Sequence, residues 1–181
     1  MKRALPILGV VVSIVVWINS AYSMQSTILE KRNEYGGKTE EETYFIGDEK
    51  YTEGLAKIIE YFDGNERIFK LESVFNDEHA RIDGVQRSVQ YFDNKIYRSG
   101  IRTRVEFYYT DAYAGREGLA RAIQYYDEGE KRAKIEYFYT DAYAKRKQIS
   151  RLEVEYDPKG TIVKRTYTDR DGKVLSVEDK K

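Results

Sequence analysis

The stretch Gly118–Asp157 reads GLARAIQYYDEGEKRAKIEYFYTDAYAKRKQISRLEVEYD, and it contains one copy of a unit that the chain repeats. Its first ten residues recur with small changes at 54–63 and 84–93, and a looser copy ends at Asp157. The first tyrosines of the four copies stand 30, 34 and 31 residues apart: Tyr61, Tyr91, Tyr125 and Tyr156. Self-similarity at a fixed period of this size predicts a repeat architecture.

Each repeat is predicted to be a β-hairpin. Apolar and polar residues alternate in the first half-unit, so Leu119, Ile123 and Tyr125 are expected on one face of a strand. The second half-unit, 134–141, supplies the partner strand, and an aspartate opens the turn between the two. Four hairpins in series predict an antiparallel meander of roughly eight to ten strands.

The composition favours an all-β fold with an open, twisted sheet. Charged residues make up 34% of the chain and there are 17 tyrosines, so aliphatic side chains are too few for a thick core on both sides. An antiparallel sheet tolerates one moderately apolar face and one wet face. The alternative is closure into a barrel, which would remove the exposed edges of the sheet.

The N-terminus has the layout of a secretory signal peptide. Lys2 and Arg3 precede an apolar run from Ala4 to Ile18, and the small residues Ala21 and Ser23 follow it. We therefore expect residues 1–23 to form an apolar signal helix that is cleaved after Ser23. An uncleaved anchor is the alternative, although fifteen apolar residues fall short of the about 20 that span a bilayer.

The rest of the chain is predicted to be a flexible linker, residues 24–43, followed by the β-hairpin repeat domain, residues 44–181. Without residues 1–23 the chain has 29 Lys and Arg against 31 Asp and Glu, a net charge of −2. This balance gives no electrostatic preference for nucleic acid or for an anionic membrane. The chain has no cysteine and is expected to be secreted or periplasmic.

Several turn motifs resemble those of known bacterial repeat proteins. The segments Tyr156-Asp-Pro-Lys-Gly160, Tyr126-Asp-Glu-Gly129 and Tyr167-Thr-Asp-Arg-Asp-Gly172 resemble the Tyr-Asp (YD) repeats of Rhs-type proteins. The serial hairpins between Tyr44 and Val177 also resemble MORN-like repeats. Members of such families serve mostly as scaffolds, shells or binding surfaces, and the resemblance implies a role of that kind.

The sequence offers little for catalysis, so we expect neither an enzyme nor a metal or other cofactor. His79 is the only histidine, and the segment around it, 75–80, is predicted to be a polar loop. The run Asp169-x-Asp171-Gly172 partly matches a calcium-binding loop but is predicted to be a hairpin turn. The repeated Thr-Asp-Ala-Tyr-Ala, at 110–114 and 140–144, is predicted to be a loop in which the aspartate caps a turn.

Recurring aromatic residues are the best candidates for a binding site. Seven of them recur along the repeats: Tyr61, Phe62, Tyr91, Phe92, Tyr125, Tyr126 and Tyr137. Aromatic side chains are enriched at protein interfaces, although cross-strand packing also explains them. We therefore expect an exported, non-enzymatic repeat protein that binds a protein partner or has a structural role in the cell envelope. The alternative is a module that binds glycan or cell wall through these aromatic residues.

Overall fold

The computed structural model describes residues 13–17, 26–44, 54–93 and 100–179, and these form one antiparallel sheet. Eleven strands follow one another from Ser26 to Asp179, and a short strand pairs with the first of them. The strands are β1 Ser13–Trp17, β2 Ser26–Arg32, β3 Gly36–Tyr44, β4 Leu55–Asp63, β5 Ile68–Phe75, β6 Val85–Asp93, β7 Ile101–Tyr109, β8 Leu119–Tyr126, β9 Arg132–Tyr139, β10 Arg151–Tyr156, β11 Ile162–Thr168 and β12 Val174–Asp179.

The predicted all-β antiparallel meander is confirmed and the sheet is open, but its described part has twelve strands and not the eight to ten that were expected. Each strand is hydrogen-bonded to its neighbours in the sequence, and the order runs without a crossover from β1 to β12. Within the described residues the two ends of this order do not pair with each other, so the barrel alternative is wrong.

The aspartate turns form as predicted because each carboxylate replaces missing backbone partners. At the β8–β9 turn, Asp127 Oδ1 accepts hydrogen bonds from the N–H groups of Gly129 and Lys131, both at 2.9 Å. Asp157 and Asp169 make the same pair of bonds with the residues two and four positions further on. The segment that partly matched a calcium loop is therefore the β11–β12 hairpin turn.

Three connections that were predicted to be loops contain short helices instead. They are α1 Asp77–Asp83, α2 Asp111–Glu117 and α3 Asp141–Lys147. Each begins after an Asn or Thr whose side chain accepts a hydrogen bond from the backbone N–H three residues on, a strong N-terminal capping signal. The aspartate was expected to be the cap, but the residue before it, Thr110 or Thr140, has that role.

Each helix also joins its own repeat to the one before it. The N–H of Thr140 donates to the carbonyl oxygen of Gly118 at 2.7 Å, and the N–H of Thr110 donates to Gly84 at 2.8 Å. Gly118 has a φ of +77°, and the ring of Tyr143 lies where a β-carbon on this glycine would project. The glycine that ends one helix is thus the surface on which the tyrosine of the next helix packs.

The sheet begins earlier in the chain than the sequence indicated. Residues 24–43 were predicted to be a flexible linker, but β2 and β3 occupy most of this range and pair along seven positions. Their backbone hydrogen bonds to each other and to β4 form this part of the sheet, although the strands carry few apolar side chains.

The predicted signal segment, residues 1–23, lies outside the described residues except for Ser13–Trp17. Those five residues are an extended strand, so the expected helix is not confirmed, and cleavage after Ser23 remains a prediction. In the part of the chain that the structure describes, no helix has the length and apolar character needed to cross a membrane.

β-Bulges change the face on which some residues lie. The register shifts between Leu119 and Arg121, and equivalent shifts occur near the starts of β4 and β6. Leu119 therefore pairs with Tyr139, on the opposite face of the sheet from Ile123 and Tyr125. Simple alternation predicted all three on one face and was wrong for Leu119, because an extra residue in one strand of a pair interrupts the period of two.

Candidate functional site

One face of the sheet, called here the charged face, carries a row of glutamates across its middle. From β4 to β10 the paired residues of this row are Ile59, Glu72, Val89, Glu106, Ile123, Glu136 and Glu153. Glu72, Glu106 and Glu136 are only 6–8% exposed, which is rare for carboxylates outside ion pairs. Such groups need charged or hydrogen-bonding partners close by, on their own strand or on the neighbouring strands.

Each of the three buried glutamates has two cations and one tyrosine hydroxyl as partners. Around Glu136, Lys134 Nζ lies 2.9 Å from one carboxylate oxygen, Arg151 lies 3.8 Å away, and the Tyr125 hydroxyl donates at 3.1 Å. Glu72 has Lys70, Arg87 and Tyr61 in these roles, and Glu106 has Arg104, Arg121 and Tyr108. The repeats therefore build a series of similar clusters, each made of a carboxylate, two cations and a tyrosine hydroxyl.

Cations and aromatic rings alternate on both sides of the glutamate row. One flanking row, from β4 to β9, is Tyr61, Lys70, Tyr91, Arg104, Tyr125 and Lys134. Its cations lie over its rings at 3.9 to 4.5 Å from the ring centroids. The other flanking row, from β6 to β10, is Arg87, Tyr108, Arg121, Phe138 and Arg151. Cation–π contacts of this kind stabilise a half-buried surface.

This environment lowers the pKa of two of the buried glutamates. Burial alone would raise the pKa of Glu72, but the hydrogen bond and charge of Lys70 bring it below its ordinary value. The pKa of Glu136 is lowered in the same way by Lys134, again against the effect of burial. Ionised Glu72 and Glu136 therefore favour the folded chain.

We predict that the folded protein loses stability in acid. Because Glu72 and Glu136 have a lower pKa in the folded chain than in the unfolded one, their contribution is complete above the ordinary pKa of about 4.3. It is lost as the pH falls through their folded pKa. The urea midpoint of unfolding should therefore drop between about pH 6 and about pH 3, and it should drop less in the double variant Glu72→Gln/Glu136→Gln.

Glu155→Gln is the matched control, because Glu155 pairs with Lys164 at 2.8 Å but is 37% exposed. This variant should lose stability in acid as much as the unaltered chain does. Glu60 has the opposite effect on the acid stability of the folded chain. Burial, followed by the charges of Glu40 and Glu42, raises its pKa, so its protonation in acid favours the folded chain. An equal loss of stability in the double variant and the unaltered chain would contradict the assignment.

The opposite face, called here the apolar face, carries most of the aliphatic core and most of the remaining aromatic residues. One row from β5 to β10 is Leu71, Gln90, Val105, Gln124, Ile135 and Val154, and the next from β7 to β11 is Phe107, Ala122, Tyr137, Leu152 and Tyr167. Val105, Ile135 and Val154 are 3–4% exposed. The short helices meet this face at one end, where Tyr109 stacks on Tyr113 with ring centroids 4.8 Å apart.

A concave aromatic surface, the aromatic hollow, lies on the apolar face beside α2. It has a volume of about 420 Å³ and is lined by Tyr113, Leu119, Tyr137, Tyr139, Leu152, Val154, Tyr156 and Ile162, with Glu117 and Arg165 as its charged members. Burial, followed by the neighbouring Tyr113 and Tyr137, raises the pKa of Tyr109 to about 12. Tyr109 is thus partly removed from water, whereas the hollow beside it is open to solvent.

The seven aromatic residues predicted to form a binding site are divided between the two faces. Tyr61, Tyr91 and Tyr125 lie on the charged face, where cations cover their rings. Phe62, Phe92 and Tyr126 come directly after them and lie on the apolar face with Tyr137, since the register shift at each of these positions leaves the extra residue in the partner strand. Only Tyr137 lines the aromatic hollow. The binding role of all seven remains a prediction.

The sequence contained a signal for one of the two features that the prediction missed, the glutamate row. The motif Lys/Arg-x-Glu recurs in the second strand of successive repeats and in β10, at 70–72, 104–106, 134–136 and 151–153, and its glutamates lie in the row. The hollow is harder to predict because its members come from five different elements and depend on the bulge that moves Leu119.

His79 lies on α1 and not in a loop. Its ring stacks on Phe75, with centroids 4.6 Å apart, and its Nε2 is 3.1 Å from Asp83. Among the described residues there is no group of three or more His, Asp or Glu side chains placed to hold a metal ion.

Comparison with known proteins leaves the chain unassigned: no protein-family model matches it, and no curated protein matches it. The resemblance to Tyr-Asp and MORN-like repeats therefore stays a prediction.

Proposed function

We propose that this chain is a non-enzymatic β-repeat protein of the cell envelope that binds a protein partner through the aromatic hollow. The observation that supports this proposal most is the hollow itself, a concave group of half-buried tyrosines and aliphatic residues on a single-layer sheet. Apolar concave patches framed by polar residues are typical of interaction sites.

The chemistry of the hollow favours a protein segment as its occupant. Tyrosine combines a large apolar ring with a hydroxyl, and it is enriched among the residues that dominate protein interfaces. Glu117 and Arg165 give the hollow one acidic and one basic side chain. These charges would orient a segment that inserts an apolar or aromatic side chain between them.

The charged face is a weaker candidate for ligand binding. Its glutamates already bind cations and tyrosine hydroxyls, and the rings of Tyr61, Tyr91 and Tyr125 each lie against a Lys or Arg. A sugar ring stacking on those tyrosines would first have to displace the cations. The glycan-binding alternative is therefore not favoured, and the experiment below tests it directly.

The proposal is tested by crosslinking and capture from envelope extract, with purified cell wall as a second bait. Tyr156→Ala removes one ring of the hollow. This variant should capture roughly tenfold less of the partner than the unaltered chain, as expected for loss of an interface aromatic residue. The captured protein is identified by mass spectrometry, and circular dichroism checks that both chains are folded.

Tyr91→Ala is the matched control, because it removes the same kind of ring from the charged face. Capture by this variant should equal that of the unaltered chain. Equal capture by Tyr156→Ala and the unaltered chain would refute the hollow as the site. Retention on purified cell wall alone would refute the protein-binding proposal and support the glycan alternative.

The proposed location outside the cytoplasm depends on the N-terminal segment. Lys2, Arg3 and the apolar run after them support export, and the resemblance to bacterial surface and scaffold repeats is consistent with it. Mass spectrometry of the protein recovered from the producing cells measures whether residues 1–23 are removed. An intact N-terminus on the recovered protein would refute cleavage after Ser23.

A further inference from the structure

The strand β12 forms an outer edge of the sheet and leaves apolar side chains in solvent. It is hydrogen-bonded to β11, and within the described residues no strand lies on its other side. All six of its residues are exposed, and Val174, Leu175 and Val177 keep 46–53% of their surface accessible. Natural sheets usually protect such edges with charges, proline or a covering segment, because unpaired backbone groups recruit other strands.

The sequence of this edge is self-complementary in an antiparallel arrangement. A bulge opposite Thr168 places Val174 and Leu175 together at one position of the strand, and regular alternation resumes at Ser176. If two copies of β12 meet with Ser176 on a two-fold axis, Val177 of each lies opposite the Val174–Leu175 pair of the other. In the same register Lys173 of each copy lies opposite Glu178 of the other.

We propose that β12 pairs antiparallel with β12 of a second copy of this chain, with the two-fold axis through Ser176. Such an axis is perpendicular to the sheet, so the charged faces of the two copies become continuous, and so do the apolar faces. Backbone hydrogen bonds supply affinity, and the paired valines and the Lys173–Glu178 contacts set the register. This inference goes beyond the proposed function, because it concerns a second copy of the chain at the sheet edge and not the occupant of the aromatic hollow.

The pairing is expected to be a reversible equilibrium. A contact along one six-residue strand is small compared with the interfaces of permanent dimers, so the two copies should separate on dilution. Glu178 also lies 3.7 Å from Arg165 of its own chain, but its side chain is 56% exposed and so remains accessible to the second copy.

Sedimentation velocity of the purified full chain over a range of concentrations tests the proposal. The unaltered chain should shift from monomer to dimer as concentration rises. Val177→Lys places a charge in the apolar pair and should weaken association by tenfold or more. Ile82→Lys is the matched control, since Ile82 is 64% exposed on α1, and this variant should dimerise as the unaltered chain does.

Two further variants test the register. The chain has no cysteine, so Ser176→Cys should give a disulfide-linked dimer on mild oxidation, whereas Ile82→Cys should not. Lys173→Glu should weaken the dimer, and adding Glu178→Lys in the same chain should restore it. A chain that stays monomeric at every concentration, or a dimer that Val177→Lys leaves unchanged, would overturn the proposal.

Discussion

Replacing Gly118 by alanine is expected to lower the free energy of unfolding by about 3 kcal/mol or more. Gly118 has a φ of +77°, which costs an L-residue about 1–2 kcal/mol. The added methyl group would also occupy the place of the Tyr143 ring and would have to displace it. Because Tyr143 stacks on Tyr139 at 4.5 Å, the displacement would disturb the contact between two repeats. Urea unfolding followed by circular dichroism measures the loss.

Gly160→Ala separates the two contributions to that loss. Gly160 has a similar φ, +82°, in the β10–β11 turn, but no atom lies within 4 Å of the place where its β-carbon would be. This variant should pay only the backbone cost, about 1–2 kcal/mol. If both variants lose the same amount, the tyrosine that packs on Gly118 contributes nothing to stability, and the description of how repeats are joined is wrong.

Replacing Glu106 by alanine is expected to cost about 2–3 kcal/mol of unfolding free energy. Its carboxylate lies 3.2 Å from Arg104, accepts from the Tyr108 hydroxyl at 2.7 Å, and is 6% exposed by residue. Removing it leaves the flanking cations without their central partner and opens a space in the middle of the charged face. Denaturant unfolding at neutral pH and low salt measures the change.

Glu155→Ala is the control for this second prediction. Glu155 also forms an ion pair, with its Oε1 2.8 Å from Lys164 Nζ, but both side chains are more than one third exposed. Exposed pairs contribute little, so the expected loss is below about 1 kcal/mol. Similar losses from the two variants would mean that burial of the glutamate row is not what stabilises the charged face.

The hairpins were predictable from the sequence because their signals are local. Alternating residues define each strand, and an aspartate such as Asp127 or Asp157 caps the turn with its own carboxylate. The helices were missed because they are only seven residues long and alternate with strands. Thr110 and Gly118 mark the two ends of α2, and capping rules applied to them would have found that helix; α3 has only the N-terminal signal, Thr140, since its C-cap is Gln148.

The candidate site was less predictable because it depends on which face each residue occupies. Adjacent aromatic residues such as Tyr61 and Phe62 must lie on opposite faces of a strand, so a single aromatic stripe was never compatible with the predicted hairpins. Where the bulges fall could not be derived from the sequence. Their effect is large, because a shift of one position moves Leu119 to the apolar face and completes the aromatic hollow.

The most direct test of the proposed division between the two faces is hydroxyl-radical footprinting of the tyrosines. The purified chain is labelled in buffer and again in envelope extract, and labelling is compared residue by residue. Protection should appear at the hollow residues Tyr137, Tyr139 and Tyr156, while Tyr91 and Tyr125 on the charged face stay unchanged. Protection of Tyr91 and Tyr125 without protection of the hollow, or no protection at either face, would contradict this account.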